Sequence, residues 1–151
     1  MRRPIQVLVY PVRLTCGEPE YLLLRRIPDR YGIWQGVTGA PEEGENLEQG
    51  AIRELLEETG LIPQVLERID FCYSYPIKDE WRHMYLPDDK EIVEYVFVAY
   101  IEGQSQPAID PTEHDDWRWF KFFEAIEVLY WPENKEALER CHEVIMKWFN
   151  S

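Results

Sequence analysis

A run of glycines and acidic residues near the middle of the chain restricts its fold more than any other feature. Residues 39–61 read GAPEEGENLEQGAIRELLEETGL. The fixed positions of this run are Gly39, Glu45, Arg53, Glu54, Glu57, Glu58 and Gly60. With about a one-in-twenty chance at each position, the set would arise by coincidence in about one window in a billion. The spacing is therefore a structural and chemical signal.

The same run predicts a helix over residues 47–59. Asn46 can cap its start, with Gln49 at the third helical position, and Gly60 suits the left-handed residue that ends a helix. Helical spacing assigns one face to Ile52, Leu55, Leu56 and Thr59. It assigns nearly the opposite face to Glu54, Glu57 and Glu58. We therefore expect a core-facing side and a carboxylate side.

The crowded carboxylates of this helix predict a bound divalent cation. Like charges four residues apart, as at Glu54 and Glu58, destabilise an isolated helix by a few tenths of a kcal/mol. Oxygen ligands without a nearby Cys or His suit Mg²⁺ or Mn²⁺ better than Zn²⁺. A solvated acidic face is the ordinary alternative for three glutamates on a helix. The complete spacing of the run favours the cation.

Size and charge limit the possible functions. The 151 residues, 45% of them hydrophobic, are enough for the core of one domain spanning residues 1–151. A net charge of −13 disfavours a nucleic acid polymer as partner, because that contact needs a basic surface. A small anionic substrate would approach the acidic run only with metal ions. The chain lacks an apolar run of membrane-spanning length, so we expect a cytoplasmic protein without a membrane partner. The oligomeric state stays open.

Hydrophobic patterns along the chain predict an α/β fold. Strands are predicted over residues 5–14, 21–26, 65–75 and 92–101. Residues 34–38 are a short segment that enters the run at 39–61, and a loop over residues 103–116 leads into residues 117–120. A helical stripe near the end comprises Leu138, Cys141, Val144, Ile145, Trp148 and Phe149. Strands between two main helices predict a mixed β-sheet sandwiched between α-helices. Cys16, Cys72 and Cys141 are odd in number and scattered, which indicates buried or inert thiols and not a disulfide framework.

The spacing of residues 39–61 is that of the Nudix box, and the chain resembles the Nudix hydrolase superfamily, which includes the MutT-like pyrophosphatases. That resemblance implies a mixed sheet between helices and hydrolysis of a diphosphate linked to another group, usually with Mg²⁺. It implies that Glu54, Glu57 and Glu58 bind metal, with the carbonyl of Gly39 as a further candidate ligand. It also implies that Arg53 pairs with Glu45 and holds the loop on the helix.

Residues outside the box resemble the bacterial dihydroneopterin triphosphate pyrophosphatase family. The resemblance rests on the initial Arg-Arg-Pro, the Leu-Arg-Arg at residues 24–26, the Arg82-His83-x-Tyr85-x-Pro87 stretch, Glu94, the Thr112-Glu113-His114 loop, and Trp131 with Asn134. It implies that Glu113 completes the metal site. Gly36 and Ala40 depart from the family pattern. Related branches act on deoxynucleoside triphosphates, dinucleoside polyphosphates, ADP-ribose or nucleotide sugars, so these substrates remain alternatives.

The reaction expected for such a site is metal-assisted attack of water on a phosphorus atom of a triphosphate, with pyrophosphate leaving. Glu54 and Glu58 are the first candidates for ligands, and Glu57 would support a second ion. Glu113 is either a ligand or the general base, because both roles need an ionised carboxylate near the metal. A Nudix-fold module that binds its ligand without cleaving it is the rival hypothesis, and the complete set of carboxylates favours an enzyme.

Substrate-binding candidates come from two types of side chain. Arg25, Arg26 and Arg82 can hold phosphates with their planar guanidinium groups, although exposed arginines at strand ends are common. Trp34, Tyr85 and Trp131 can stack on a flat heterocycle, although core packing is the commoner role of such rings. His83 adjoins Arg82 and His114 adjoins Glu113, where a hydrogen-bonding or surface role is the ordinary alternative.

Overall fold

The computed structural model describes residues 1–103 and 106–150. Its strands are β1 (Ile5–Thr15), β2 (Glu18–Arg26), β3 (Trp34–Gln35), β4 (Val37–Gly39), β5 (Val65–Pro76), β6 (Glu91–Tyr100) and β7 (His114–Lys121). Its helices are α1 (Leu47–Thr59), α2 (Phe122–Val128) and α3 (Pro132–Phe149). Short 3-10 helices occupy Pro28–Arg30 and Asp79–Met84. Gln104 and Ser105 of the predicted loop, and Ser151 of the predicted domain, lie outside the described residues.

The N-terminal strand lies at the centre of the sheet. It runs parallel to β6, with Ile5 opposite Val93, and antiparallel to β2 and β4. The main strand order is β3-β2-β1-β6-β5, while β4 also pairs with β1 and β7 with β2. The sheet is therefore mixed, as predicted. β1 is buried from Val7 to Val12 because both of its faces are covered, so its middle reads as a continuous apolar run.

Each face of the sheet is covered by helix. Val7 and Val9 of β1 pack on one face with Ala51 and Leu55 of α1. On the other face lie Leu8 and Tyr10 of β1, Val96 and Val98 of β6, and Leu138, Cys141 and Ile145 of α3. Successive side chains of β1 therefore pack alternately into two separate apolar clusters, one on each face of the sheet. This arrangement is the predicted α/β/α order of layers.

Several predicted boundaries differ from the structure. The segment over residues 34–38 is two short strands that pair with different neighbours, β3 with β2 and β4 with β1. The last strand begins at His114, so residues 114–116 are strand and not loop. Helix α2 was not predicted. Cys141 is buried, whereas Cys16 and Cys72 are exposed.

The predicted faces of α1 are partly wrong. Leu55 and Thr59 are buried as expected, but Ile52 is 41% exposed and Leu56 is 48% exposed. Glu58, assigned to the outer face, is only 6% exposed. The inner face of the helix therefore combines apolar residues with a carboxyl group. Among residues 1–103 and 106–150, no helix is long and apolar enough to cross a membrane.

Candidate active site

Helix α1 is fixed at both ends by its own sequence. The Asn46 side chain accepts a hydrogen bond from the Gln49 backbone N–H at 2.8 Å, and the Gln49 side chain accepts one from the Asn46 N–H at 2.9 Å. Gly60 ends the helix with a left-handed backbone, at a φ of 74°. These reciprocal caps satisfy backbone groups that a helix end leaves free. They fix the position along the helix at which each glutamate faces the sheet.

Arg53 joins the helix to the loop that precedes it. Its Nε lies 2.7 Å from Glu45 Oε2, and one Nη lies 3.0 Å from Glu45 Oε1, a two-pronged contact. The same Nη donates to the Ala40 carbonyl at 3.0 Å. The hydrogen bond from Arg53 lowers the pKa of Glu45. The contact implied by the resemblance is present, and it is the charge-assisted kind that resists rotation.

Glu54 and Glu57 meet the other Nη of Arg53. Its distance is 3.0 Å to Glu54 Oε1 and 3.1 Å to Glu57 Oε2. The carboxylate of Glu54 also lies against the Cα of Gly39, where a Cβ would overlap it. Gly39 therefore leaves room for this carboxylate at the end of β4. The Glu57 side chain is 57% exposed and points along the outer side of the helix.

Glu58 is buried beside Glu54 on the inner side of α1. The pKa of Glu58 is raised to about 10, mainly by burial and also by the hydrogen bond and charge of Glu54 and by the charge of Glu113. Burial also raises the pKa of Glu54. Arg53 offsets the charge of Glu54, so a second ionised carboxylate in this poorly solvated place needs a further counter-charge. A cation would supply that charge.

Glu113 and His114 reach the same place from the far end of the chain. β7 pairs with β2 so that His114 lies opposite Arg26, across a register shift between Arg25 and Arg26. The Ile27 N–H donates to the Glu113 carbonyl at 3.1 Å. Three side chains meet here, those of Glu58, Glu113 and His114. Each offers one possible ligand atom, and these three atoms lie within 4.8 Å of one another. The structure thus places Glu113 beside Glu58, while Glu57 lies outside this group.

His114 is a buried, neutral side chain in this group. Its pKa is lowered to about 4, mainly by burial and also by the positive charges of Arg26 and Arg30. Its Nε2 lies 3.8 Å from Glu58 Oε1. Its Nδ1 is buried without a hydrogen-bond partner among the described residues. A buried nitrogen of this kind and the space at Gly39 both fit a site that takes an ion.

Of the predicted phosphate-binding arginines, Arg26 comes nearest to the carboxyl cluster. Burial lowers its pKa, and the charges of Glu58 and Glu113 act on it in the opposite direction. Arg25 instead pairs with Asp115 at 2.7 Å, with its guanidinium 5.7 Å from the centroid of the Trp34 ring. Trp34 is half-buried and packs edge-on against Phe120.

The predicted residues at 82–85 lie on the connection between β5 and β6. Arg82 donates to the carbonyl of Leu86 in its own segment, and His83 is exposed. Tyr85 is 5% exposed and packs with Ile77 and Ile92. The prediction that Tyr85 stacks on a ligand is not supported, since its ring has no free face. Packing is its role here.

Three basic residues near the site, Arg2, Arg3 and Arg30, were not assigned a role from the sequence. Arg2 and Arg3 line a cleft of about 710 Å³ together with Arg53 and Glu54. One Nη of Arg3 donates to the carbonyls of Glu42 and Glu45, each at 3.0 Å. Arg30 lies 4.0 Å from Glu113. The initial Arg-Arg-Pro was the available signal for Arg2 and Arg3, whereas Arg30 carries no sequence signal.

Glu94 belongs to a separate buried network on the α3 face. Tyr73 and Tyr75 both donate to its carboxyl group, the latter at 3.2 Å. Asn134 donates to the Tyr73 hydroxyl at 2.8 Å. Burial raises the pKa of Glu94. These hydrogen bonds partner the carboxyl group in its buried place.

The chain is similar to known proteins over most of its length. The NUDIX domain family model matches residues 2–144. The chain is 28% identical over 143 residues to the dihydroneopterin triphosphate diphosphatase of Escherichia coli strain K12, with 92% of each protein covered. It is 32% identical over 124 residues to an octanoyltransferase of Myxococcus xanthus, but there the match spans about a third of that protein. A crystal structure described as a NUDIX hydrolase from Listeria monocytogenes superposes with a TM-score of 0.83 at 28% identity, covering 97% of each chain.

Proposed function

This chain belongs to the Nudix hydrolase family, and from that premise we propose that it cleaves a triphosphate of a flat heterocycle and releases pyrophosphate. Dihydroneopterin triphosphate is the proposed substrate. The coarser statement, a Nudix pyrophosphohydrolase acting on small phosphoric anhydrides, follows from the family and its relatives. The observation that carries the proposal is that the buried Glu58 has Glu54 on one side and Glu113 within ligand distance on the other.

The proposed cofactor is Mg²⁺ or Mn²⁺, held by Glu54, Glu58 and Glu113, with Glu57 and the Gly39 carbonyl as further ligands. When bound, such a cation neutralises charge on phosphate oxygens and makes a coordinated water more acidic. The buried carboxyl pair supports this assignment, because Glu54 and Glu58 can both ionise only beside a positive charge. Gly39 supports it by leaving the Glu54 carboxylate free of a neighbouring Cβ.

The protein groups have separate roles in the proposed reaction. Arg53 orients Glu54 and keeps the Glu45 loop against the helix. Arg26 lies where its guanidinium can meet phosphate oxygens beside Glu58 and Glu113. A water placed between the carboxyl cluster and the phosphorus would lose its proton to a carboxylate, and Glu58 and Glu113 are the candidates. Little covalent chemistry is required, since positioning and charge neutralisation supply most of the acceleration.

A product assay tests the reaction itself. Purified protein, stripped with EDTA, is given Mg²⁺ or Mn²⁺ and a triphosphate, and pyrophosphate and phosphate are both measured. The expected result is pyrophosphate release that requires the added metal. Full activity in excess EDTA would refute the metal assignment. Binding without any turnover would favour the rival hypothesis of a non-catalytic Nudix module.

A substrate panel tests the choice of dihydroneopterin triphosphate. The panel includes the deoxynucleoside triphosphates, diadenosine tetraphosphate, ADP-ribose and an RNA oligonucleotide with a 5′ triphosphate. We expect the highest kcat/KM with the pterin, because specificity is a difference in transition-state binding. The net charge of −13 supports poor turnover of the RNA. A clear preference for diadenosine tetraphosphate or ADP-ribose would refute the pterin substrate and support only the general Nudix hydrolysis.

Two arginine variants separate the substrate pocket from the metal site. We expect Arg82→Ala to lower kcat/KM for the preferred triphosphate without changing metal affinity, because its proposed partner is the substrate. Arg140→Ala is the matched control, since Arg140 pairs on the surface with Glu136 of the same helix. Equal kinetics for both variants would remove Arg82 from the pocket.

A further inference from the structure

The buried ring of His114 is the feature at the candidate site that the proposed reaction does not use. Its side chain is 4% exposed, and its Nδ1 has no hydrogen-bond partner among the described residues. Its Nε2 lies 3.8 Å from Glu58 Oε1, which is longer than a hydrogen bond. Neither ring nitrogen therefore has a hydrogen-bond partner among the described residues, although buried polar groups in proteins are nearly always partnered. Nε2 is the nitrogen that faces Glu58, so we infer that its partner is not a protein group.

The position of the ring identifies that partner. A nitrogen of His114 and one carboxylate oxygen each of Glu58 and Glu113 lie within 4.8 Å of one another. Ligand atoms bound to one ion at about 2.0–2.2 Å lie no more than about 4.4 Å apart, so small side-chain movements would bring these three into one coordination sphere. Arg30, 4.0 Å from Glu113, limits how far that carboxylate can turn away.

The chemistry of the ligand set narrows the choice of ion. Mg²⁺ strongly prefers oxygen ligands, whereas imidazole nitrogen suits first-row transition metals. Among the ions expected for this family, Mn²⁺ accepts carboxylate oxygen and imidazole nitrogen together. The glutamates of helix α1 alone suit either Mg²⁺ or Mn²⁺, because no histidine lies near them in the sequence. The fold brings one there.

We propose that His114 is a direct ligand, with Glu58 and Glu113, of an ion position that selects Mn²⁺ over Mg²⁺. The proposal rests on the proposed function for the use of the ion, but it concerns how the ion is bound. The rival explanation is a hydrogen bond that His114 makes to Glu58 after a small movement. Only direct ligation puts the ring nitrogen next to the electron spin of Mn²⁺.

Pulsed electron paramagnetic resonance of the full chain with Mn²⁺ alone tests direct ligation. We expect modulation from a coordinated ¹⁴N nucleus, absent in His114→Gln and retained in His142→Gln. His142 is a matched control because it hydrogen-bonds Tyr21 and stacks on Phe122, on the α3 side of the sheet. Bound Mn²⁺ without nitrogen modulation in the wild type, or modulation that persists in His114→Gln, would overturn the proposal.

A labelling experiment keeps the test valid if His114→Gln does not fold. Wild-type protein grown with ¹⁵N-histidine should show the coupling of ¹⁵N in place of that of ¹⁴N. An unchanged spectrum would overturn the proposal, since the coupled nitrogen would then not be histidine.

Metal affinities test the selectivity. Isothermal titration should show that His114→Gln weakens Mn²⁺ binding at least about tenfold, the scale for loss of a group that supports a metal. Mg²⁺ binding should change much less, so the preference for Mn²⁺ narrows. Equal loss for both ions would overturn the selectivity.

Hydrolysis is measured separately with Mg²⁺, so the two proposals fail differently. Nitrogen coupling without triphosphate cleavage would refute the proposed function and support the ion position. Cleavage without nitrogen coupling would support the proposed function and refute the ion position.

Discussion

Raising the pH should destabilise the metal-free protein because of one group, Glu58. Its folded-state pKa is raised to about 10, mainly by burial, from an ordinary value of 4.5. Between these values the folded protein holds a proton that the unfolded chain has released, so stability falls as the pH rises. The slope is ~1.36 kcal/mol per pH unit, or ~2.7 kcal/mol between pH 6 and pH 8, for one such proton. The side chain is buried, so solvent screening does not reduce this value substantially.

Urea unfolding in EDTA at pH 6, 7 and 8 measures this slope. Glu58→Gln is the matched variant, since it keeps the shape and removes the titrating group. The free energy of unfolding of the wild type should fall more steeply with pH than that of the variant. Mg²⁺ or Mn²⁺ should restore more stability at pH 8 than at pH 6, because the ion binds the ionised carboxylates of the folded state. Parallel pH slopes for wild type and variant would refute the reasoning.

Variants at four positions test the site and the fold. Glu58→Gln should lower kcat at least about a hundredfold with the circular dichroism spectrum unchanged, and Glu113→Gln should also lower it; near wild-type kcat in Glu113→Gln would remove that residue from the reaction. Arg53→Lys should weaken Mg²⁺ binding by titration calorimetry, since lysine cannot make the two-pronged contact with Glu45, and unchanged affinity would contradict this role. Tyr85→Ala should lower the free energy of unfolding by ~3 kcal/mol or more in urea, whereas Tyr85→Phe should cost under ~1 kcal/mol; equal losses would argue against packing as its role.

The sequence predicted the parts of the fold that depend on local signals. The caps at Asn46 and Gly60 and the bounds of α1 are confirmed, because capping acts over a few neighbouring residues. The split of α1 into an apolar and a polar face failed at Ile52 and Leu56. A helical pattern that places all three glutamates opposite the apolar residues turns the helix away from its true core side. The buried carboxyl group of Glu58 is what made the pattern misleading.

Long-range pairing accounts for what the sequence could not provide. Glu113 was placed at the site by resemblance alone, and His114 had no assigned ligand role. Their approach to Glu58 depends on the pairing of β7 with β2, and on a register shift beside Arg26. No local pattern encodes that register. The same limit applies to Tyr85, whose neighbours Ile77 and Ile92 lie on different strands or connections.

The parallel pairing of β1 with β6 has a consequence for synthesis. Strand β1 leaves the ribosome before β6 and can complete its place in the sheet only after Glu91–Tyr100 has emerged, since Ile5 pairs with Val93 and Val12 with Tyr100. Until then the run from Val7 to Val12, which is buried in the finished fold, has an open edge. Such non-local pairing slows folding and leaves nascent chains prone to association. Pauses in translation before Glu91–Tyr100 has emerged from the ribosome should therefore lower the yield of folded protein more than later pauses.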